Sequence, residues 1–239
     1  MSDDFQDAAP IARKTMVLFF LLDTSGSMGG EKIETVNEAI RETIPIIKEI
    51  SNDNADAEIK FAVLSFSCGT KWITPSPVDL NSYKFQDLSA GGSTDMGDAF
   101  AEVASKLDKN AFLSSQVGNL APVMILMSDG APTDDYKKGL TTLKQNKWYK
   151  PAIKIAFSIG QDANNDILAE FTENPELVID TDNKQMLKKM IRFVSVTSSK
   201  VGSQTKGTAQ SKQDQVAEAI KEEVQSSVAD SEAEVSGGW

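Results

Sequence analysis

The 239-residue chain contains no histidine and a single cysteine, Cys68. Without histidine, Ser-His-Asp catalysis, Cys-His catalysis and His-ligated zinc sites are all excluded. One cysteine cannot form an internal disulfide or a Cys-based zinc cluster. The side chains left for binding a metal ion are therefore carboxylates and hydroxyls.

Long apolar runs are also missing. No stretch approaches the roughly 18 uninterrupted apolar residues that a membrane span requires. Residues 1–15 have three aspartates and lack the basic segment followed by an apolar segment that is typical of a secretory signal. From these features we expect no membrane insertion and a cytoplasmic location.

Positive charge is scarce as well. The chain has 24 Lys and Arg against 35 Asp and Glu, a formal net charge of −11. Neutralising phosphates requires clustered basic residues, so this balance disfavours a nucleic-acid-binding surface. We therefore expect the partners to be proteins.

What the chain does contain is an alternation of strand and helix patterns. Seven apolar residues in 16–30, MVLFFLLDTSGSMGG, end abruptly at Asp23, as expected for a strand buried on both faces of a parallel sheet. Further strands are predicted at 57–66, 71–74, 122–127, 152–159 and 177–179, and helices at 31–50, 96–107, 134–146, 165–171 and 184–196. This alternation predicts an α/β fold, a Rossmann-like, doubly wound and mostly parallel sheet with helices on both faces.

Prolines refine two of these elements. Pro45 lies inside the first predicted helix, where it is expected to kink the helix or end its first segment. Pro75 and Pro77 follow the short strand at 71–74, which predicts an edge position for that strand.

The composition divides the chain into three parts: an N-terminal arm at 1–15, one α/β domain at 16–200 and a polar C-terminal tail at 201–239. The tail has no aromatic residue before Trp239, so we expect it to be flexible. A sharper hypothesis is that residues 214–228 fold as a helix on a partner, through the apolar residues Val216, Ile220, Val224 and Val228.

Oxygen-bearing side chains follow two of the buried strands and precede one helix. Asp23, Ser25 and Ser27 alternate after the first strand, Thr94 lies in a glycine-rich turn before the helix at 96–107, and Asp129 follows the strand at 122–127. A parallel sheet brings the carboxyl ends of its strands to one edge. Hydroxyls and carboxylates are hard oxygen ligands, suited to Mg²⁺ or Mn²⁺.

Each part alone has a structural explanation. The motif at 23–27 could be a turn held by side-chain hydrogen bonds, Thr94 could be a helix N-cap, and Asp129-Gly130 could be a plain turn. The three occur together, however, at ends of elements that one sheet would bring together, which favours a joint site.

In order and spacing, Asp23-Thr24-Ser25-Gly26-Ser27, Thr94 and Asp129 resemble the von Willebrand factor type A domain over residues 16–200. The resemblance implies a metal-ion-dependent adhesion site formed by these positions. It implies Ser25, Ser27 and Thr94 as direct ligands of Mg²⁺, with Mn²⁺ or Ca²⁺ possible, and Asp23 and Asp129 holding waters. A Glu or Asp of a partner protein would complete the coordination. The sequence around LLDTSGSM and MSDGAPTD also resembles that of bacterial tellurite-resistance-associated A-domain proteins, which implies a stress-response or defence pathway.

We therefore expect a non-enzymatic protein-binding module. A haloacid-dehalogenase-type phosphatase needs a second aspartate two residues after its nucleophile, where this chain has Ser25, and a P-loop needs a lysine that neither glycine turn provides. Two alternatives stay open: a metal-dependent phosphohydrolase that activates a bound water, and a structural subunit in which the metal stabilises the fold.

Overall fold

A computed structural model of the chain describes residues 12–55, 57–181, 184–203 and 208–236. Its centre is a mostly parallel, seven-stranded sheet covered by helices on both faces, so the predicted α/β fold is confirmed. The strands are β1 Lys14–Asp23, β2 Ala57–Ser67, β3 Gly69–Trp72, β4 Val78–Asp79, β5 Val123–Ser128, β6 Ile153–Ile159 and β7 Val178–Thr181.

The sheet order is β3-β2-β1-β5-β6-β7, with β4 also pairing with β2. Strands β2, β1, β5, β6 and β7 are parallel to their neighbours, whereas β3 and β4 run antiparallel to β2. The short strand predicted before Pro75 is confirmed as an edge strand. Because the chain moves outward from β1 on one side to β2 and on the other side to β5, the switch point of this sheet lies between β1 and β5.

Strand β1 is in the middle because its sequence has no polar side before Asp23. Every residue of β1 after Lys14 is buried. Its side chains alternate between two cores: Met16, Leu18 and Phe20 point to one face, and Val17 and Phe19 to the other.

Helices α1, α5 and α6 supply the first of these cores, and α2, α3 and α4 supply the second. The helices are α1 Glu31–Asp53, α2 Met96–Lys106, α3 Tyr136–Gln145, α4 Asn165–Thr172, α5 Lys184–Ser203 and α6 Ala209–Ser236. Short 3₁₀ turns at Gly26–Met28 and Pro175–Leu177 complete the list for the described residues.

Helix α1 continues through Pro45 to Asp53, so the expected end of a first segment is not seen. Pro45 is exposed, whereas Ile44 and Ile47 beside it are buried. The proline therefore lies on the solvent side of the helix. There, water can satisfy the carbonyl that the missing backbone N–H leaves without a partner.

The structure differs from the predicted flexible tail. Residues Ala209–Ser236 form helix α6, and Val216, Ala217 and Ile220 are at most 2% exposed in the first core. The Gln213 amide donates to the Thr172 carbonyl over 2.8 Å. Three of the four residues proposed to anchor a partner, Val216, Ile220 and Val224, thus pack on the chain's own domain. The side chain of the fourth, Val228, is not among those that the structure describes. The sequence showed this narrow apolar stripe but not its packing partner, which is the chain's own first core.

Among the described residues, no helix is long and apolar enough to cross a membrane. The expected N-terminal arm falls on residues that are not described up to position 11.

Candidate metal centre

The first part of the site is the end of β1, where the Asp23 carboxylate is held on both sides. One of its oxygens, Oδ1, accepts the Ser25 backbone N–H at 2.9 Å, and Oδ2 accepts the Ser128 hydroxyl at 2.5 Å. Asp23 is fully buried. Both bonds orient the carboxylate at the carboxyl edge of the sheet, at the switch point between β1 and β5.

Ser25 and Ser27 follow in a tight turn that leads into α1. Their hydroxyl oxygens lie 3.1 Å apart; Ser25 is buried and Ser27 is exposed. Octahedral Mg²⁺ holds its ligands at 2.0–2.1 Å, which places neighbouring ligand oxygens about 3 Å apart. The two hydroxyls therefore already have the separation of adjacent Mg²⁺ ligands.

The glycine-rich turn that carries Thr94 is bonded to the β1 turn. The Gly91 N–H donates to the Thr24 carbonyl at 2.8 Å, and the Gly26 N–H donates to the Gly92 carbonyl at 3.0 Å. Gly92 has φ +87°, and a Cβ there would lie 2.5 Å from the Cys68 sulfur, so this turn needs glycine. These contacts bring the Thr94 loop to the loop that carries the two serines.

Thr94 itself is fixed from the other side. Its N–H donates to the Thr133 hydroxyl and its carbonyl accepts the Thr133 N–H, both at 2.9 Å. Thr94 is 3% exposed. The alternative of an N-cap role for Thr94 is not what the structure shows, because Asp95 is the N-cap residue of α2 and the Thr94 backbone is bonded to the loop after β5.

Asp129 lies directly after β5, and its environment gives the clearest indication of a cation site. It is 2% exposed, and its Oδ1 atom has no hydrogen-bond partner among the residues that the structure describes. Its Oδ2 atom lies 3.4 Å from the Lys32 ammonium. A buried carboxylate oxygen without a partner is costly, so this atom fits a site completed by a cation or by a cation-bound water.

The electrostatics agree with that fit. Burial raises the pKa of Asp23; hydrogen bonds from Ser128 and Ser25 lower it in part, and the nearby Asp129 charge raises it. Two carboxylates thus share a largely buried place with no histidine to neutralise them. A divalent cation would remove the cost of holding both ionised.

The donor set also bears on the kind of metal. Within the described ranges, no three His, Cys, Asp or Glu side chains are grouped so that they could hold an ion. The potential ligands here are hydroxyls and two carboxylates, the hard-oxygen set that suits Mg²⁺ or Mn²⁺.

Three neighbours of the site were not found from the sequence. Ser128 and Thr133 bond to Asp23 and Thr94, and Lys32 contacts Asp129. Ser128 stands beside Asp129 in the sequence and could have been noticed. Lys32 and Thr133 carried no sequence signal, since only the packing of loops after different strands brings them here.

The sequence profile of the von Willebrand factor type A domain matches residues 18–193. The chain belongs to this family. Domains of the family commonly bind a divalent metal at the metal-ion-dependent adhesion site and act in protein–protein interactions. No curated protein sequence matches the chain.

Solved structures resemble the fold at low sequence identity. Proximal thread matrix protein 1 from the mussel byssus, in a form with a zinc-occupied adhesion-site motif, is 20% identical, with TM-score 0.59, over 79% of this chain and 48% of that chain. A von Willebrand factor type A protein from Catenulispora acidiphila is 19% identical, with TM-score 0.56, over 77% of this chain and 43% of that one. The PilB minor pilin from Streptococcus sanguinis is 15% identical, with TM-score 0.56, over 81% and 62%. The chain thus spans less than two thirds of each of these proteins.

Proposed function

We propose that the chain is a non-enzymatic, metal-dependent protein-binding module whose ligand is a Glu or Asp side chain of a partner. Ser25, Ser27 and Thr94 are the direct protein ligands of the ion, and Asp23 and Asp129 hold its waters. The observation that carries this proposal is the buried Asp129 Oδ1 atom, which no described residue hydrogen-bonds, on the loop beside the fixed Asp23 carboxylate.

Neutral ligands matter for the chemistry. A bound Mg²⁺ supplies a Lewis-acidic position that an outside carboxylate can occupy, because hydroxyl ligands leave the charge of the ion largely unneutralised. Ser27 is the exposed member of the ligand set, so a partner reaches the site from its side. The buried residues Asp23, Ser25, Thr94 and Asp129 exclude bulk water from the other side.

Mg²⁺ is the ion we propose, with Mn²⁺ as its close substitute and Ca²⁺ as a weaker one. Ca²⁺ prefers more ligands at longer distances than two hydroxyl oxygens 3.1 Å apart and one threonine provide. The zinc in the mussel protein belongs to that protein. Here, the lack of histidine and the hydroxyl and carboxylate donor set favour the harder ions.

A direct test is calorimetry with Mg²⁺ and Mn²⁺ on the full chain, Ser25→Ala and the control Ser114→Ala. Ser114 is exposed and lines a cavity with Arg13, just before β1 and away from the carboxyl edge. We expect Ser25→Ala to weaken metal binding and Ser114→Ala to leave it unchanged. At a metal concentration 100 times Kd, the native state should gain about 2.7 kcal/mol of stability. Equal metal affinity in all three proteins would show that the site is elsewhere.

Partner recognition is tested by capture from lysate with Mg²⁺ or with excess EDTA, followed by Glu and Asp substitution in the partner found. Binding that survives EDTA would place recognition on another surface. A stabilising metal without any metal-dependent partner would support the alternative of a structural subunit.

The fixed Asp23 carboxylate favours a water-holding role over that of a nucleophile in a phosphohydrolase. Each of its oxygens accepts one protein hydrogen bond, which sets its orientation and leaves a lone pair for a metal-bound water. Metal-dependent hydrolysis of p-nitrophenyl phosphate that is lost in Asp23→Ala would overturn the non-enzymatic proposal. A role in bacterial stress response, including tellurite resistance, stays a prediction from the resemblance alone.

A further inference from the structure

Lys32 is a positive charge placed beside the metal centre. It lies in the first turn of α1, directly after the glycines that follow the serine ligands. Its ammonium is 3.4 Å from Asp129 Oδ2 and 2.9 Å from Asp162 Oδ1. The contact with Asp129 is long, so the stronger partner of Lys32 is Asp162, which comes from the loop after β6.

The loop after β6 is shaped to receive the lysine. Gly160 has φ +95°, and a Cβ at this position would lie 2.5 Å from the Lys32 Cε atom. The lysine stem therefore crosses the loop where a side chain is missing. This close packing sets the ammonium at the rim of the centre, where the Lys32 side chain is 22% exposed.

The two acidic partners of Lys32 differ in exposure. The side chain of Asp129 is 3% exposed, whereas that of Asp162 is 75% exposed. An ion pair with so exposed a carboxylate is weak, because water and salt screen it. Asp162 can therefore give up its place on Lys32 to another carboxylate at little cost.

Counting charges shows what Lys32 adds. A divalent ion balances the two carboxylates of Asp23 and Asp129, so the loaded centre without Lys32 would be neutral. With the Lys32 ammonium it carries one positive charge, which the exposed Asp162 carboxylate balances in the free chain and an arriving anion can balance in its place. An incoming carboxylate has two oxygens: one can enter the metal coordination and the other can accept a hydrogen bond from the ammonium.

We infer that Lys32 is a second anchor for the acidic side chain of the partner, and that Asp162 occupies this anchor in the free chain. Asp162 thus acts as an internal stand-in for the ligand carboxylate, which the ligand displaces when it binds. This inference rests on the proposed function, since it requires the metal centre to hold an ion.

The test first measures the binding of Mn²⁺ to the chain, and then the binding of acetate, a carboxylate probe, to the Mn²⁺-loaded chain. Water-proton relaxation reports both. The variants are Lys32→Met, the charge-retaining control Lys32→Arg, and Asp162→Asn. Removing the positive charge relieves its repulsion of the ion, so Lys32→Met should bind Mn²⁺ at least about threefold more tightly. The same variant should bind acetate at least about fivefold more weakly, because it lacks the anchor.

The other two variants complete the pattern. Lys32→Arg should retain acetate binding within about twofold, since it keeps the charge and the donors. Asp162→Asn should bind acetate about two- to threefold more tightly, because no carboxylate competes for the ammonium. This expectation holds independently of whether Lys32→Met folds, which circular dichroism and thermal melting would check.

The opposite effects of Lys32→Met on Mn²⁺ binding and on acetate binding distinguish an anchoring role from a structural one. If Lys32 only held Asp129 in place, Lys32→Met would weaken Mn²⁺ binding, and that result would overturn the inference. Unchanged acetate affinity in Lys32→Met or in Asp162→Asn would also overturn it, with the metal site still supported by Mn²⁺ binding. If the unsubstituted chain failed to bind Mn²⁺, the proposed function itself would fall, and the inference with it.

Discussion

The Ser128 hydroxyl donates a 2.5 Å hydrogen bond to Asp23 Oδ2 across 105 positions of sequence. The same hydroxyl oxygen accepts the Gly130 N–H at 2.9 Å. Ser128 is fully buried and ends β5, and Asp23 ends the neighbouring strand β1. One side chain therefore holds the first carboxylate of the centre and shapes the turn that carries the second.

Replacing Ser128 with alanine should weaken the metal centre through both of these contacts. Asp23 Oδ2 and the Gly130 N–H would each lose a partner, at a cost of about 1–3 kcal/mol in the free energy of unfolding. We also expect at least about tenfold weaker Mn²⁺ binding, since a 1.4 kcal/mol loss of orientation corresponds to that factor. Urea unfolding and calorimetry measure the two effects. Ser114→Ala is the matched control, and unchanged metal affinity in Ser128→Ala would mean that Asp23 keeps its orientation without this bond.

Asp23 should make the metal-free chain less stable as pH rises. Burial raises its pKa above the ordinary value of 3.8, so the folded state binds this proton more tightly than the unfolded state. Its contribution to stability is therefore present below pH 3.8 and is lost as pH rises through the folded-state pKa. Metal binding, which needs the ionised form, should strengthen over the same pH range.

The variant Asp23→Asn isolates this effect at neutral pH. Without metal it should be more stable than the original chain, because no carboxylate charge is then buried at this position. In excess Mg²⁺ it should gain none of the stabilisation that the original chain gains. Thermal melts with Mg²⁺ and with EDTA measure both. A metal-free Asp23→Asn chain that melts lower would show that the carboxylate is stabilising as an anion.

Helix α6 should stabilise the domain without affecting the metal centre. Val216 and Ile220 are buried in the core that α5 also lines, and Gln213 bonds to the end of α4. The double variant Val216→Ala/Ile220→Ala should lose about 3–5 kcal/mol of unfolding free energy. Glu218→Ala, at an exposed position of the same helix, is the control. An unchanged melting temperature in the double variant would mean that this segment is a flexible tail, as the sequence predicted.

Lys154 and Glu173 form an ion pair in which removing the carboxylate should affect stability differently from removing the ammonium. Lys154 is 2% exposed, its ammonium lies 3.0 Å from Glu173 Oε2, and burial lowers its pKa. Glu173→Gln leaves this ammonium without a counter-charge and should destabilise the chain by about 1–2 kcal/mol, less than for a fully buried pair because the Glu173 side chain is 44% exposed. Lys154→Met removes the buried charge and should be neutral or stabilising. Denaturant unfolding of both variants measures the two changes in the free energy of unfolding. A larger loss in Lys154→Met than in Glu173→Gln would contradict this reasoning.

The sequence by itself determined the sheet and the five proposed ligand positions. A strand as apolar as β1 is expected to be buried on both faces, and its sudden end at Asp23 marks the carboxyl edge of the sheet, where we propose that the metal binds. The positions of Asp23, Ser25, Ser27, Thr94 and Asp129 at the ends of elements are local properties of the sequence, so they could be read before the fold was known.

Only the tertiary structure decided what surrounds those residues. The contacts of Lys32 with Asp129 and Asp162 join the first turn of α1 to loops after two other strands, and the contact of Thr133 with Thr94 joins two loops. Such contacts depend on the twist of the sheet and on how closely the glycine turns approach, which no local pattern records. The docking of α6 on the domain was missed for a related reason: its narrow apolar stripe packs against α5, β6 and the turn at Pro175–Leu177, and only the tertiary structure brings these elements together.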